Sequence, residues 1–568
     1  MKGSVLMIRQ STLAIFFFVL ACGQQTGSEG PPSKPPPESA NSHADDGAFN
    51  PEAGGSEPDN VIDNRPMDSA GGGLNSRRLL ARISLDLRGR RPTELELRHL
   101  DSQPDALNTF IEQALDDAGF VDRVADHMAR IMRSRYESYP IAPADGGFDE
   151  ESIQRAAGRE ATELVRHIVS EKRPYSEVLT ADYTFANEVL AAEFPISDYD
   201  SSVGGWQQVR YSDQRPPAGL LVSNTFYLRY LTDGINHNRG RANAVSRIFL
   251  CDDYLKRPID FPRNINLNDE TGVQNAVREN PACQSCHATL DPLASFFGPF
   301  TLIEDEGRRY DPDALDAWEE TTEVPPSYFG QDGETMADLA GAMVADPRFA
   351  LCIVRRTYED LLDRPATAAD RIALQGHTQR FIEGGMTFHA LYRSLVNDPV
   401  YRGQNDGERL ALAGKLMRPA TLGDAIFALT RFRWQLDGWD AMRNENMGYR
   451  VLGGGVSSLS GEFPSRLANV TRVLVQERIA ELAAAYVGYF DDDAHRILFG
   501  DDGIHGERDF TELLNRLTTS IWGRHSTPAE ADDYRALYAS LIADEMAVDS
   551  AWVAIVSLLL RDPQFLIY

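Results

Sequence analysis

The segment Pro281-Ala282-Cys283-Gln284-Ser285-Cys286-His287 carries the chemistry that spacing specifies best in this chain. Two thiols separated by two residues can each bond one vinyl group of a single haem. The adjacent imidazole is then carried beneath the iron as an axial ligand. C-x-x-C-H in this form reads as c-type haem attachment. Other chemistries of these residues ask for surroundings that are not visible. A thioredoxin-like C-x-x-C opens a helix after a strand within a βαβ pattern. A structural zinc site needs a second Cys or His pair at motif spacing. A Cys283–Cys286 disulfide stays open as an alternative. The expectation is one covalent haem c with His287 on the iron.

The sixth iron position decides what such a haem does. A closed site only moves electrons, whereas an open one binds peroxide or oxygen. Met343 and Met336 lie at a suitable distance downstream, though their stripe with Leu339, Ala340 and Val344 also reads as helical core filling. Met386, His377, His389 and His237 are further candidates, with an open or water-occupied site as the remaining one. Cys251 and Cys352 bracket the haem segment. In an oxidising compartment, with the other three cysteines committed, they are expected to form a mutual disulfide, two buried free thiols being the alternative. The acidic runs Asp491-Asp492-Asp493 and Asp501-Asp502-Gly503 lack the alternating ligands of a calcium loop and read as solvated turns.

Covalent haem attachment is a process of exported proteins, and the N-terminus supplies that context. Lys2 and Arg9 precede Thr12–Ala21, an apolar run too short to span a membrane permanently. It ends in Val19-Leu20-Ala21-Cys22, which resembles the lipobox of bacterial lipoproteins. That resemblance implies acylation of Cys22, and Gly23 after it resembles signals sent on to the outer membrane. An ordinary secretory peptide or an uncleaved anchor is the alternative, and both still export the chain. Gln24–Gly73 is rich in Gly, Pro, Ser, Asp and Glu and cannot bury enough apolar surface to offset its ordering entropy. It reads as a tether, reaching roughly 150 Å if fully extended. The body would then sit in the periplasm or on the surface of a bacterial cell envelope.

The whole chain of 568 residues carries a formal charge of −29, from 85 acidic and 56 basic residues. A nucleic-acid backbone needs a basic footprint, so nucleic acid is excluded as a partner. From Arg77 onward apolar residues recur at three- and four-residue spacing and β-type alternation is scarce. Examples are Leu107–Ile131, Ile153–Glu171, Leu374–Val396 and Ala483–Tyr489. The fold class expected is mainly α: bundle-like helical modules around a cytochrome-c-like haem segment. The expected organisation is a signal peptide (1–22), a tether (23–76), an N-terminal helical domain (77–240), the haem segment (241–330), a helical module (331–403) and a C-terminal helical domain (404–568).

Three stretches look like copies of one unit in which a helix ends at a basic turn and a Thr caps the next helix, with an acid three residues later. They are Leu87–Thr93 leading to Glu96, Leu362–Thr367 leading to Asp370, and Ile521–Thr527 leading to Glu530. The pairs Asp346-Pro347, Asp398-Pro399 and Asp562-Pro563 read as closing signals of these modules.

Beyond the haem motif the chain resembles class I cytochromes c in one feature. Pro299 lies twelve residues after His287, where in that class a proline carbonyl accepts the imidazole hydrogen bond. Phe296, Phe297 and Phe300 would be apolar wall for the porphyrin or plain core aromatics. More broadly the chain resembles the large cytochrome-c-domain proteins common in planctomycetes and myxobacteria. Pro217–Leu221, Arg239-Gly240 with Leu250-Cys251, and Cys283–Pro292 correspond to their central signals. Pro217 replaces the usual Arg, Ala294 the usual Gly, and Phe297–Phe300 an E-x-F-D run. Leu85-Asp86-Leu87 with Gly89 and Pro92 corresponds to an N-terminal element, Tyr358–Pro365 to a G-R module with Asp363 in place of Gly, and Tyr449–Gly455 to a Y-R-x-L-x-G-G run. The resemblance implies no catalytic residue. Electron transfer with a redox partner protein or small molecule is the expected function. The alternatives are a haem-dependent peroxidase or oxygenase and a haem-containing binding or scaffold lipoprotein.

Overall fold

The computed structural model describes residues 74, 76–103, 106–134, 147–232, 236–258, 269–300, 310–403, 414–444, 447–455, 469–506 and 508–568. The signal segment with Cys22, and the tether through residue 73, lie outside them. The described residues are mainly helical, with strands confined to short pieces. Thr184–Ala186, Gln207–Tyr211 and Ile196–Ser197 form one antiparallel sheet with the 207–211 strand in the middle. No described helix is long and apolar enough to cross a membrane.

Local chemistry sets the helix ends. Leu107–Ile131 divides into Ala106–Leu115 and Ala118–Met132 because Asp117 caps the second helix, accepting from the Gly119 amide at 2.8 Å. Leu374–Val396 divides at Gly384-Gly385, the second of these at φ +71°, into Arg371–Glu383 and Phe388–Val396. All three repeated turns form capping boxes, Thr93 with Glu96, Thr367 with Asp370 and Thr527 with Glu530. The residue four before each Thr is left-handed: Gly89, Asp363 and Gly523. The acid of each box also takes an arginine from the turn, Arg88 at 2.7 Å, Arg364 at 2.8 Å and Arg524 at 2.6 Å. The Asp-Pro pairs do something other than close modules. Asp346, Asp398 and Asp562 each accept a hydrogen bond from the amide two residues on, and Asp346 and Asp562 start new helices with Pro at the first position.

Three apolar cores result. The first gathers residues between Leu79 and Tyr401, including the haem-motif region. The second gathers residues 417–566 together with Leu85, and a small third one backs the sheet. The helix Ser76–Arg88 serves the two larger cores, sending Leu87 into the first and Leu85 into the second. Asp86 between them is buried, but its oxygens are well satisfied. It meets Lys415 Nζ at 2.6 Å, Tyr401 Oη at 2.9 Å and Tyr568 Oη at 3.0 Å, while the same Lys415 donates to the Leu361 carbonyl at 3.0 Å. Cys251 and Cys352 are joined in a disulfide that spans 101 positions. Gly219, in the run Pro217–Leu221, sits at φ +50° against the Val178 carbonyl, where any Cβ would collide.

Candidate functional site

The C-x-x-C-H motif occupies the first turns of the helix Pro281–Ser295. Asn280 caps it through the Ala282 amide at 2.9 Å, and Pro281 stands at the first helical position. This helix follows another, Glu270–Glu279, and not a strand, so the thioredoxin arrangement is absent. Cys283 and Cys286 are not bonded to each other. Helical spacing divides the side chains between two faces. Cys286, Leu290, Leu293 and Ala294 turn toward the first core, and Cys286 is only 7% exposed. Gln284, His287, Ala288 and Asp291 line a cavity of about 870 Å³. Cys283 lies one turn before His287 on the cavity side and is half-buried.

The other cavity walls are Val273, Gln274, Val277 and Arg278 of the preceding helix, His237 and Arg239, and the loop 321–324. Ser295 ties the end of the motif helix to that loop, meeting Thr322 Oγ1 at 2.6 Å and the Val324 carbonyl at 2.8 Å. Arg278 pairs with Glu323 across two walls. Pro292 has no N–H to offer the Ala288 carbonyl one turn back, and both residues line the cavity.

His287 is oriented by Asp291, not by Pro299. Its Nδ1 donates to Asp291 Oδ1 at 2.9 Å, and Arg239 holds the two Asp291 oxygens at 2.7 and 3.0 Å. Burial alone would raise the Asp291 carboxyl, but the hydrogen bonds and charge of His287 and Arg239 hold it below the usual carboxylate range. The Pro299 carbonyl instead accepts from the Asp311 amide at 2.8 Å. The reason is helical reach: an acid four residues after His287 lies directly above it, whereas Pro299 lies past the helix end at Ser295. In the sequence Arg239 and Asp291 stand out only as family signals, with no role attached. The His-x-x-x-Asp spacing was the available clue.

The candidates for the far side of an iron separate cleanly. Met336 and Met343 are packed in the first core and do not line the cavity. His377 has both ring nitrogens engaged, with Ser394 Oγ and Asp398 Oδ2 each at 2.8 Å. His389 packs edge-on against Phe120, and Met386 lies against the first core. Among these candidates His237 alone lines the cavity, held at φ +49° in the turn before Arg239. Phe296, Phe297 and Phe300 are core residues, Phe297 stacking on Phe226 and Phe300 on Tyr227. Asp491 is a helix cap, accepting from the Ala494 amide at 2.7 Å, and Asp502 pairs with Arg508. No group of three or more His, Cys, Asp or Glu among the described residues is placed to hold a bare metal ion. A protein-only zinc site needs three or four such ligands; a haem brings its own four nitrogens and needs one axial residue. Two unbonded thiols, an imidazole with Nε2 left over and a cavity of cofactor size fit that group.

Residues 90–196 match a family model described as a protein of unknown function (DUF1592). The match runs from the first basic turn to the small sheet and ends before the cavity-lining residues. No curated protein and no solved structure matches the chain at a significant level.

Proposed function

We propose that this protein is an envelope-anchored monohaem c-type cytochrome that transfers electrons. The observation that carries the reading is C-x-x-C-H at the start of a helix, with its His287 beside a large cavity and locked by Asp291. Cys283 and Cys286 would hold the porphyrin edge and His287 Nε2 the iron. The bound haem supplies one-electron chemistry. The protein's own share is to fix the imidazole ring through Asp291, to neutralise that carboxylate through Arg239, and to wall off part of the site with Val273, Val277 and Val324. DUF1592 is typical of planctomycete cytochrome-c-containing proteins, which supports the same reading. Acylation at Cys22, an outer-membrane location and a partner that accepts electrons are parts of this proposal.

A haem peroxidase or oxygenase is the second reading, and the His287–Asp291 pair is the observation favouring it. A carboxylate on the proximal imidazole strengthens it as a donor, which suits oxygen or peroxide activation as well as a low potential. Optical and EPR spectra decide. Protein from a host that matures c-type cytochromes should show a Soret band and one covalent porphyrin by mass. Both should vanish in the C283A/C286A variant. A low-spin, six-coordinate spectrum supports electron transfer. A high-spin ferric form with rapid carbon monoxide binding when reduced supports turnover instead. Mature protein with no Soret band and no added mass ends both readings.

A further inference from the structure

A second cavity, of about 40 Å³, lies between the helix Ala118–Met132 and the start of the helix Pro419–Thr430. One water needs about 10–15 Å³ measured this way, so the space suits a group of three or four heavy atoms. Its lining holds five arginines, 123, 130, 418, 443 and 450, against one carboxylate, Asp126. In a chain of net charge −29 that is a local reversal of sign.

Much of this charge is matched. Arg418 pairs with Asp360 and Asp363, Arg130 with Asp360, and Arg443 with Asp126 and Asp424. Two polar groups stay over. Arg123 Nε is buried with no hydrogen-bond partner, and so is Thr421 Oγ1, on a residue only 1% exposed. Thr421 is the third residue of a twelve-residue helix whose cap, Arg418, offers no acceptor, and Pro419 has no N–H. The amides of Ala420 and Thr421 therefore open that helix uncapped, with the positive end of its dipole at the cavity. A buried hydroxyl with no partner costs about 1–3 kcal/mol by general experience, and a ligand acceptor removes the cost.

The run Tyr449–Gly455 explains why the place is built as it is. Gly454, at φ +91°, lies against the Arg472 guanidinium, and a Cβ on Gly455 would come 2.7 Å from the Arg450 carbonyl. The glycines thus allow the chain to fold tightly behind Arg450, which lines the cavity while almost wholly buried. In the sequence this run is a family signal without a task.

We propose that the cavity is a binding site for a small tetrahedral oxyanion of the phosphate class, held by Arg123, Arg450, Thr421 Oγ1 and the first amides of the helix Pro419–Thr430. Helix N-termini with converging guanidinium groups are suited to such anions. The site is separate from the haem cavity and does not depend on the haem reading.

Equilibrium dialysis of the full purified protein against radiolabelled inorganic phosphate, in chloride buffer, tests it. Saturable binding of one phosphate per chain is expected. T421V should weaken it about tenfold or more, the size of a lost hydrogen bond to a charged group, and R123Q should weaken it at least as much. Without phosphate, T421V should unfold no earlier than the parent, since Val is isosteric and has no hydroxyl to leave unpaired. The proposal is overturned if no saturable binding is found, if both variants bind like the parent, or if acetate binds more tightly than phosphate.

Discussion

Replacing Asp291 by Asn keeps the shape of the side chain and one acceptor oxygen for His287, but removes the negative charge. In the parent that charge meets His287 Nδ1 at 2.9 Å and Arg239 at 2.7 and 3.0 Å. A hydrogen bond to a charged acceptor contributes about 1.5–3 kcal/mol, against about 0.5–1.5 kcal/mol for a neutral one. The difference, about 1–1.5 kcal/mol, favours the ferric site, where the iron carries the extra positive charge. For a one-electron couple about 1.4 kcal/mol corresponds to about 59 mV. The reduction potential of D291N should therefore rise by about 40–65 mV, toward the lower figure because Arg239 already offsets part of the carboxylate charge. R239Q should shift the potential the opposite way, since it unmasks the carboxylate. Spectroelectrochemical titration of both variants, with haem content measured per chain, is the assay. An unchanged or lowered potential in D291N at full haem content would refute the role given to Asp291.

M336L and M343L should leave the Soret maximum and spin state of the holoprotein unaltered, at a stability cost under about 1.5 kcal/mol for such a swap; a change of spin state in either would restore that Met as an iron ligand. The C251S/C352S double variant opens a loop of 101 positions and should lose about 2–4 kcal/mol of stability, measured by urea unfolding; coincident curves for parent and variant would contradict this. Glu530 is held down to about 2 by the hydrogen bond from Arg524, against burial, with help from the Thr527 amide. Its folded value lies below the unfolded value near 4.5, so its contribution is complete above that pH and disappears as pH falls toward 2. E530Q should accordingly flatten part of the loss of stability between those pH values, and an unchanged acid limb would show that the Arg524 pair does not stabilise the fold.

Much of the local structure is legible in the residues. Thr-x-x-Glu and Thr-x-x-Asp announce capping boxes, and all three form, because a cap is closed by atoms within four residues of one another. The helical character follows from apolar spacing for the same reason. Periodicity alone points to two long helices where four occur, since Asp117 and Gly384-Gly385 interrupt the period without breaking the hydrophobic stripe. The Asp-Pro pairs read as closing signals, although their side chains cap the residues just after them. Local geometry decides such cases, and residue type alone is ambiguous.

The candidate site divides along the same line. Cys283, Cys286 and His287 can be named from spacing because haem attachment is a covalent requirement on three residues in five positions. Asp291 is within reach of the same logic, four residues on along one helix. Pro299 is suggested instead by likeness to another class, whose chain continues differently after its helix.

What the sequence by itself determined is what short spacings determine: the haem-type motif, the capped turns, the apolar periodicity and the pairing left to Cys251 and Cys352. Only the tertiary structure decided that Arg239 would meet Asp291 across 52 positions, that Met336 and Met343 would be core, and that Asp86 would gather Tyr401, Lys415 and Tyr568. It alone placed Arg123, Thr421 and Arg450 around one small cavity. The physical reason is that such meetings have no rule of spacing. They arise from burying many helix faces at once, and the burial of each face depends on all the others.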